Sequence, residues 1–219
     1  MTSPFSTSDR ADNLMDWFQL HSKKVGWAAV GLVVLAAGGW FYNRSQELKS
    51  ERAEKAYFEA QRSVMAGNLP LAEADLRKMA SRYEGTTSAM EARLLLAQVL
   101  YNQGKYQQGV DELKQAEDDI GGSEEFGSSV HLVIAGGLEQ LKKYAEAAAQ
   151  YEAAAKAARF DPDRQRYETL AARAYLTGGD TTKAKALWTV LGADSKGTVA
   201  GEARVRLGEL EAKAQQPAG

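Results

Sequence analysis

Residues 104 to 117 read GKYQQGVDELKQAE, and the same form recurs three more times along the chain. Each copy begins at a turn residue, has Ala or Gly five positions later, and has Leu, Tyr or Trp a further four positions on. The turn residues Gly67, Gly104, Lys142 and Gly179 lie 37, 38 and 37 residues apart. A fixed period of this size, with an amphipathic segment on each side of every turn, is typical of stacked helix hairpins.

An amphipathic segment also precedes each turn, so the sequence predicts four hairpins. These segments cover residues 53–66, 89–103, 129–141 and 166–177. Residues 199–213 add one more helix, with Leu207 and Leu210 on its inner side, which we interpret as the polar cap at the end of the array. Pro70 falls in the first turn of a predicted helix, and Pro162 falls between two hairpins. We therefore predict an all-α repeat domain over residues 56–214, followed by a mobile tail at 215–219.

The stretch VGWAAVGLVVLAAGGWFY, residues 25–42, contains 18 residues without a charge. As a helix it would be about 27 Å long, slightly less than the hydrocarbon thickness of a bilayer. Aromatic side chains at its ends suit the two interfaces, and basic side chains beside it suit the headgroups. We predict a transmembrane helix at 25–42, between a short N-terminal segment at 1–24 and a helical stalk at 43–55. The predicted anchor residues are Lys23, Lys24, Trp27, Trp40, Phe41, Tyr42 and Arg44.

Two other interpretations of this stretch stay open. A cleaved signal peptide would share the basic flank and the small residues at 36–38, but the 24 residues before the stretch carry three aspartates. A buried core helix would need a much larger surrounding domain. Charge leaves the membrane orientation undecided. The basic residues within about 20 positions of the stretch favour a cytoplasmic C-terminal domain, whereas Lys23 and Lys24 beside the stretch favour a cytoplasmic N-terminus.

Composition limits the chemistry of the rest. The residues after Tyr42 carry 24 basic and 26 acidic side chains, so no basic stripe for nucleic acid is expected. The absence of cysteine excludes disulfides and thiolate metal sites. His21 and His131 have no second histidine or cysteine nearby, residues 192–198 resemble a phosphate loop only faintly, and the acidic residues of 117–125 lack the spacing of a calcium loop. The sequence predicts no catalytic residue, no cofactor and no metal.

Residues 90–123 resemble a tetratricopeptide repeat of 34 residues. Residues 128–161 and 165–198 resemble the same repeat, and the first hairpin departs from it at Ser63, where a large apolar residue is usual. The order of N-terminal segment, single span, charged stalk and degenerate repeats is similar to the YfgM-like family of bacterial inner-membrane proteins. The packing positions of the repeat in the first of these runs are occupied by Leu96, Ala97, Leu100, Gly104, Tyr106, Gly109, Leu113 and Ala116.

This resemblance implies a single-pass protein of the bacterial inner membrane with its C-terminal domain in the periplasm. It implies a non-enzymatic adaptor that binds other proteins beside the Sec translocon and periplasmic chaperones. The alternative is an accessory structural subunit that braces a larger integral-membrane complex. The repeat spacing projects the following residues onto a concave partner-binding face, although several of them could instead cover neighbouring helices: Leu94, Gln98, Tyr101, Leu132, Glu139, Thr169, Arg173 and Leu176.

Overall fold

The computed structural model of the chain describes the backbone of residues 7–120, 126–194 and 197–215. It describes the side chains of the same residues except 7–22, 25, 28, 29, 117–120, 214 and 215. Within these ranges the secondary structure is entirely helical, so the prediction of an all-α fold is confirmed. The helices are α1 (Thr7–Met65), α2 (Leu69–Arg82), α3 (Thr87–Asn102), α4 (Tyr106–Ile120), α5 (Gly127–Gln140), α6 (Tyr144–Lys156), α7 (Asp161–Thr177), α8 (Thr181–Ala193) and α9 (Ala200–Gln215).

The chain divides into two compact units, Met1–Glu51 and Arg52–Gly219. The described residues of the first unit all belong to α1. The second unit contains the end of α1 and the helices from α2 to α9. In this unit the end of α1 pairs with α2, α3 with α4, α5 with α6 and α7 with α8, which gives the four predicted hairpins.

The four turns share one backbone geometry. The turn residue has a positive φ, and the residue after it donates its N–H to the carbonyl five positions back, at N···O distances from 2.8 to 3.2 Å. This is the Schellman arrangement, which satisfies the last carbonyls of one helix and reverses the chain into the next. Glycine adopts this conformation without strain, whereas Lys142, at φ 59°, carries the steric cost of a left-handed L-residue, about 1–2 kcal/mol. The glycines at the other turns are Gly67 (φ 71°), Gly104 (φ 75°) and Gly179 (φ 87°).

Small side chains let the helices of each hairpin approach closely. The alanine at one repeat position, seven residues before the turn, is buried in each first helix, as Ala60, Ala97, Ala135 and Ala172. The repeated position five residues after the turn is also buried in each second helix, as Ala72, Gly109, Ala147 and Ala184. The large residue four positions later fills the space between neighbouring helices, and Trp188 is the largest of these fully buried side chains. Buried side chains from α3 to α9 form the main hydrophobic core, and Leu207 and Leu210 of α9 pack against it, as the sequence predicts.

Two local details differ from the sequence pattern. Ser63 stands where a large apolar residue is usual, and its hydroxyl donates a 2.7 Å hydrogen bond to the Asp75 carboxylate across the first hairpin. A polar contact there replaces the usual apolar one. Pro162, predicted to lie between hairpins, instead lies in the first turn of α7. Proline fits this position because its missing N–H has no helical partner there, and the flanking Asp161 and Asp163 favour the positive end of the helix dipole.

The apolar stretch of residues 25–42 lies within α1. Among the described residues, no helix combines the length and the apolar character needed to cross a membrane. The predicted transmembrane helix is therefore not confirmed. The side chains of Val25, Ala28 and Ala29, which belong to this stretch, lie outside the described part of the chain.

Charged side chains join the first hairpin to the second. Lys105 at the second turn lies 2.7 Å from the Glu73 carboxylate of α2. Arg77 contacts Glu73 at 3.5 Å and the Glu112 carboxylate of α4 at 2.8 Å. The Arg93 guanidinium of α3 lies 3.7 Å from Glu112, and both of these side chains are mostly buried. The hydrogen bond from Lys105 is the main cause that lowers the pKa of the Glu73 carboxyl, with help from the charges of Lys105 and Arg77 and against desolvation.

A pH titration of stability tests this network. The lowered pKa means that ionised Glu73 stabilises the fold above its unfolded pKa of 4.5, and that this contribution is lost as pH falls through the folded pKa. We expect Glu73→Gln to lower the free energy of unfolding by about 1 kcal/mol near pH 7. The difference from wild type should shrink as pH falls from 4.5 through the folded pKa of Glu73. Urea unfolding across this range measures it, with the exposed Glu59→Gln as control. A Glu73→Gln deficit that stays constant to pH 3 would contradict the assignment.

Candidate protein-binding surface

In a stacked array of hairpins, the first helix of each hairpin lines the concave face. Helices α3, α5 and α7 take this position in the second, third and fourth hairpins. The residues predicted to bind a partner all lie on these three helices. Whether each side chain is available to a partner depends on its burial and on its contacts within the chain.

Helix α3 contributes one exposed and two half-buried residues to the predicted face. Leu94 and Tyr101 pack against the main hydrophobic core. Gln98 is exposed. The Tyr101 hydroxyl donates a hydrogen bond of 3.1 Å to the backbone carbonyl of Val133 in α5. Burial raises the pKa of this phenol, so it stays protonated and able to donate.

Two glycines form the seat for the Tyr101 ring. A methyl group added at Gly109 of α4 would meet the ring itself and would lie 3.1 Å from the Ala97 carbonyl oxygen. A methyl group added at Gly137 of α5 would meet the Tyr101 hydroxyl and lie 2.7 Å from Val110. Tyr101 therefore links three helices within the chain, and its predicted role as a partner contact competes with this structural role.

Helix α5 shows a similar division. Leu132 is half-buried and packs against the core. The Glu139 carboxylate accepts a 3.0 Å hydrogen bond from the Tyr151 hydroxyl of α6. Burial, followed by the Glu139 charge and this hydrogen bond, raises the pKa of Tyr151. Gly136, between these two residues, has nothing within 4 Å of the place where a Cβ would lie, so it leaves open space on this helix.

Helix α7 directs its predicted residues toward the chain itself. Thr169 is buried, and its hydroxyl has no hydrogen-bond partner among the described residues. Arg173 is exposed and forms an ion pair with Glu202 of α9. Leu176 is half-buried and packs against the core. This end of the predicted face is thus occupied by contacts within the chain, of which the Arg173–Glu202 pair joins α7 to α9.

Gln98 and Gly136 are the best candidates for an open contact surface. Gln98 combines exposure with a side chain that can both donate and accept hydrogen bonds. Gly136 was not among the predicted residues. It occupies the same repeat position in α5 as Gln98 in α3, so aligning the repeats would have found it. The glycine pair at 136 and 137 hides this signal, because one glycine packs against Tyr101 and the other faces open space.

Two of the sequence features considered for other chemistry, His131 and the loop after α8, have structural roles in the described chain. The side chains of His21 and of residues 117–120 lie outside the described residues. His131 places its Nδ1 2.7 Å from the Gln150 side-chain oxygen across the third hairpin. Buried Gln165 holds the loop after α8, donating to the Asp194 carboxylate at 2.8 Å and accepting from the Thr198 N–H at 3.0 Å. Ser195 and Lys196 of this loop lie outside the described residues, as do residues 121–125. Within the described residues, no three His, Cys, Asp or Glu side chains are grouped as metal ligands.

The predicted anchor residues lie on the surface of the first unit. The aromatic residues Trp27, Trp40, Phe41 and Tyr42 are between 64% and 78% exposed. The valines and leucines of residues 30–35 are exposed as well, so none of these apolar side chains is covered by the described residues of this unit. Lys23 and Lys24 are exposed, and Arg44 forms a 3.0 Å ion pair with Glu47.

The family model for the tetratricopeptide repeat-like domain matches residues 15–186, well over half of the chain. The protein belongs to this family. The match includes the apolar stretch of α1 and the first hairpin, which differs from the usual repeat at Ser63. It does not extend to the narrower YfgM-like assignment. Among proteins of curated function, none matches this chain.

Solved structures show the same fold at low sequence identity. The kinesin-light-chain TPR-like repeats of Podosopora anserina are 17% identical, with a TM-score of 0.58 over 76% of this chain and 89% of theirs. MamA of Desulfovibrio magneticus RS-1, residues 41 to the end, is 20% identical, with a TM-score of 0.51 over 75% of this chain and 97% of its own. A double mutant of MamA from RS-1 is 21% identical, with a TM-score of 0.52 over the same shares. A fold of this kind implies protein partners and is typical of non-catalytic scaffolds.

Substitutions at Gly136 and Gly137 of α5 test how the Tyr101 side chain packs. Gly137→Ala places a methyl group against the Tyr101 hydroxyl and Val110, and we expect it to lower the free energy of unfolding by about 1–3 kcal/mol. Gly136→Ala makes the same change one residue earlier in open space, and should stabilise the helix by about 0.5–1 kcal/mol. Thermal unfolding of both variants measures the difference. Equal melting temperatures would show that Tyr101 does not pack between these helices.

Proposed function

We propose that this protein is a non-enzymatic, membrane-anchored adaptor of the bacterial inner membrane whose repeat domain binds other proteins in the periplasm. The observation that carries the proposal is the pairing of two features in one chain. One is a tetratricopeptide-type array with an open position on its inner helices, and the other is an exposed apolar helical stretch in a separate unit. Within the described residues, neither feature groups three His, Cys, Asp or Glu side chains that could hold a metal ion.

The anchoring part of the proposal rests on the exposed apolar side chains of the first unit. Soluble surfaces rarely expose so many large apolar residues in one run, because each would gain free energy by leaving water. The run is bordered by Lys23 and Lys24 on one side and by Arg44 on the other, as suits two headgroup regions. The family match begins at residue 15 and therefore includes the whole run. Contact with lipid is the use of this surface that its chemistry favours.

The partner part of the proposal rests on α3 and α5. Gln98 offers donors and an acceptor for the backbone of an extended segment, and Gly136 lets such a segment approach the helix closely. The order of segments resembles the YfgM-like proteins, so we assign the partners to the Sec translocon and periplasmic chaperones. The near-neutral charge of the repeat region agrees with a protein partner better than with nucleic acid.

Membrane fractionation tests the anchor. We expect the wild-type protein to stay in the membrane pellet after an alkaline carbonate wash. Val33→Glu combined with Leu35→Glu should move most of it to the soluble fraction, since a charged residue costs about 2.5–3.5 kcal/mol at the centre of a membrane helix. Phe58→Glu, which changes an exposed apolar residue of the second unit, is the control and should leave the protein in the pellet. Wild-type protein in the soluble fraction would refute anchoring.

Site-directed crosslinking in intact cells tests the partner surface. A photoreactive residue at position 98 should crosslink to a translocon or chaperone component, and Gln98→Trp should reduce co-purification of that component at least tenfold. The control carries the same photoreactive residue at position 115, which is exposed on α4, and should give no such product. Equal products from both positions would contradict a role for the inner helices. Recovery of one integral-membrane complex in fixed stoichiometry would instead favour the structural-subunit alternative.

A further inference from the structure

The start of each second helix in the array contacts the turn of the next hairpin. In the first hairpin, the Leu69 carbonyl accepts a 3.3 Å hydrogen bond from Gln103, just before the next turn. In the second, Gln107 accepts a 3.1 Å hydrogen bond from Lys143 at the next turn. In the third, Tyr144 lies against Gly178, where an added Cβ would be 3.0 Å from the Tyr144 Cβ. The same surface is therefore used three times in succession.

The position six residues after the turn shows the same pattern through its burial. Val110 and Ala148 occupy it in the second and third hairpins, and both are fully buried. Glu73 occupies it in the first hairpin, where Lys105 of the next turn lies 2.7 Å from its carboxylate. In the fourth hairpin the position is Lys185 of α8, whose side chain is 52% exposed. The contact surface of α8 is thus open, and Thr181, Ala186 and Thr189 beside Lys185 are exposed as well.

A groove of about 550 Å³ lies at this surface, between α8 and the end of α9. Ala186 and Leu210 provide its apolar lining, and Thr181 and Thr189 lie on its α8 side. Its charged lining residues are two lysines, Lys185 and Lys213, and none of the described lining residues is acidic. The volume lies within the range of ligand-binding clefts, about 300–1,000 Å³.

We infer that this groove, the α8–α9 groove, binds an amphipathic helix of a partner protein that carries carboxylates in its first turn. The array itself determines the chemistry. In the first hairpin, the negatively charged Glu73 forms an ion pair with Lys105 of the following turn. In α8 the charge at the equivalent position is positive, because Lys185 takes the place of Glu73. The occupant must therefore place an acidic group against Lys185, where the first interface places Lys105 against Glu73.

The present partner of Lys185 does not prevent this. Lys185 lies 3.2 Å from the Glu211 carboxylate, and both side chains are more than half exposed. An exposed pair of this kind contributes little, and Lys185 can exchange it for a carboxylate held in a desolvated groove. Carboxylates in the first turn also offset the positive end of the dipole of the incoming helix. Both the lysines of the groove and the partner's own helix dipole therefore favour acidic residues in this turn. Bound in this way, the partner would complete a fifth hairpin with α9.

Peptide binding to the full-length chain tests the inference. The probe is a fluorescein-labelled 16-residue synthetic helix with leucines along one face and Asp-Glu-Glu in its first turn, followed by fluorescence anisotropy. A second peptide replaces the three acidic residues with lysines. We expect the acidic peptide to bind wild type at least tenfold more tightly than the basic peptide. Lys185→Glu should weaken the acidic peptide at least tenfold and strengthen the basic one.

Matched variants keep the outcomes distinct. Lys156→Glu makes the same charge change at an exposed site on α6, and should leave both affinities unchanged. Ala186→Trp fills the groove and should abolish binding of the acidic peptide. Absence of binding by the acidic peptide, or equal effects of Lys185→Glu and Lys156→Glu, would overturn the inference. Self-association of the chain that Ala186→Trp removes would also overturn it, because the occupant would then be a second copy. Gln98→Trp should not change peptide binding, so failure here is separable from failure of the adaptor role.

Discussion

The structure depends on how closely the two helices of each hairpin approach. The alanine or glycine five residues after each turn is buried in every second helix, and the large residue four positions later fills the space that this approach leaves. Close approach of two helices requires small side chains at the crossing, since a larger group would force the axes apart. The period of the array follows from this constraint, because every hairpin must place small residues at the same position of its own helix crossing. Tyr101 shows the other half of the rule, since two glycines are needed to admit one large ring.

The turns transmit this packing from one hairpin to the next. Each Schellman turn after the first brings residues into contact with the previous second helix. These residues are Gln103 and Lys105 at the second turn, Lys143 at the third and Gly178 at the fourth. Stability in such an array is a sum of hairpin and nearest-neighbour contributions. The ion pairs around Glu73 and Glu112 strengthen the interface between the first and second hairpins. Within the first hairpin itself, the Ser63–Asp75 hydrogen bond replaces an apolar packing contact.

The same packing limits what the inner helices can offer to a partner. A residue on a first helix faces either the open side of the array or the neighbouring helices, and large side chains gain more by burial within the chain. Leu94, Leu132 and Leu176 accordingly pack against the core, and Arg173 pairs with Glu202. A polar residue at Gln98 and the absence of a side chain at Gly136 leave the inner face accessible in the middle of the array. The surfaces with the most freedom to bind partners are this central part and the open face of α8.

The sequence by itself determined the helical class, the four hairpins and the position of each turn. These follow from period and local backbone chemistry, since glycine at a helix end and a repeated small residue act within a few positions of the chain. The sequence also correctly placed Leu207 and Leu210 on the inner side of α9. Only the tertiary structure decided which inner-helix residues were available, because availability depends on neighbours from other helices, such as Val133 of α5 for Tyr101 of α3. The open face of α8 is of the same kind. It becomes visible only when the contacts of three earlier hairpins show which surface the next turn normally covers.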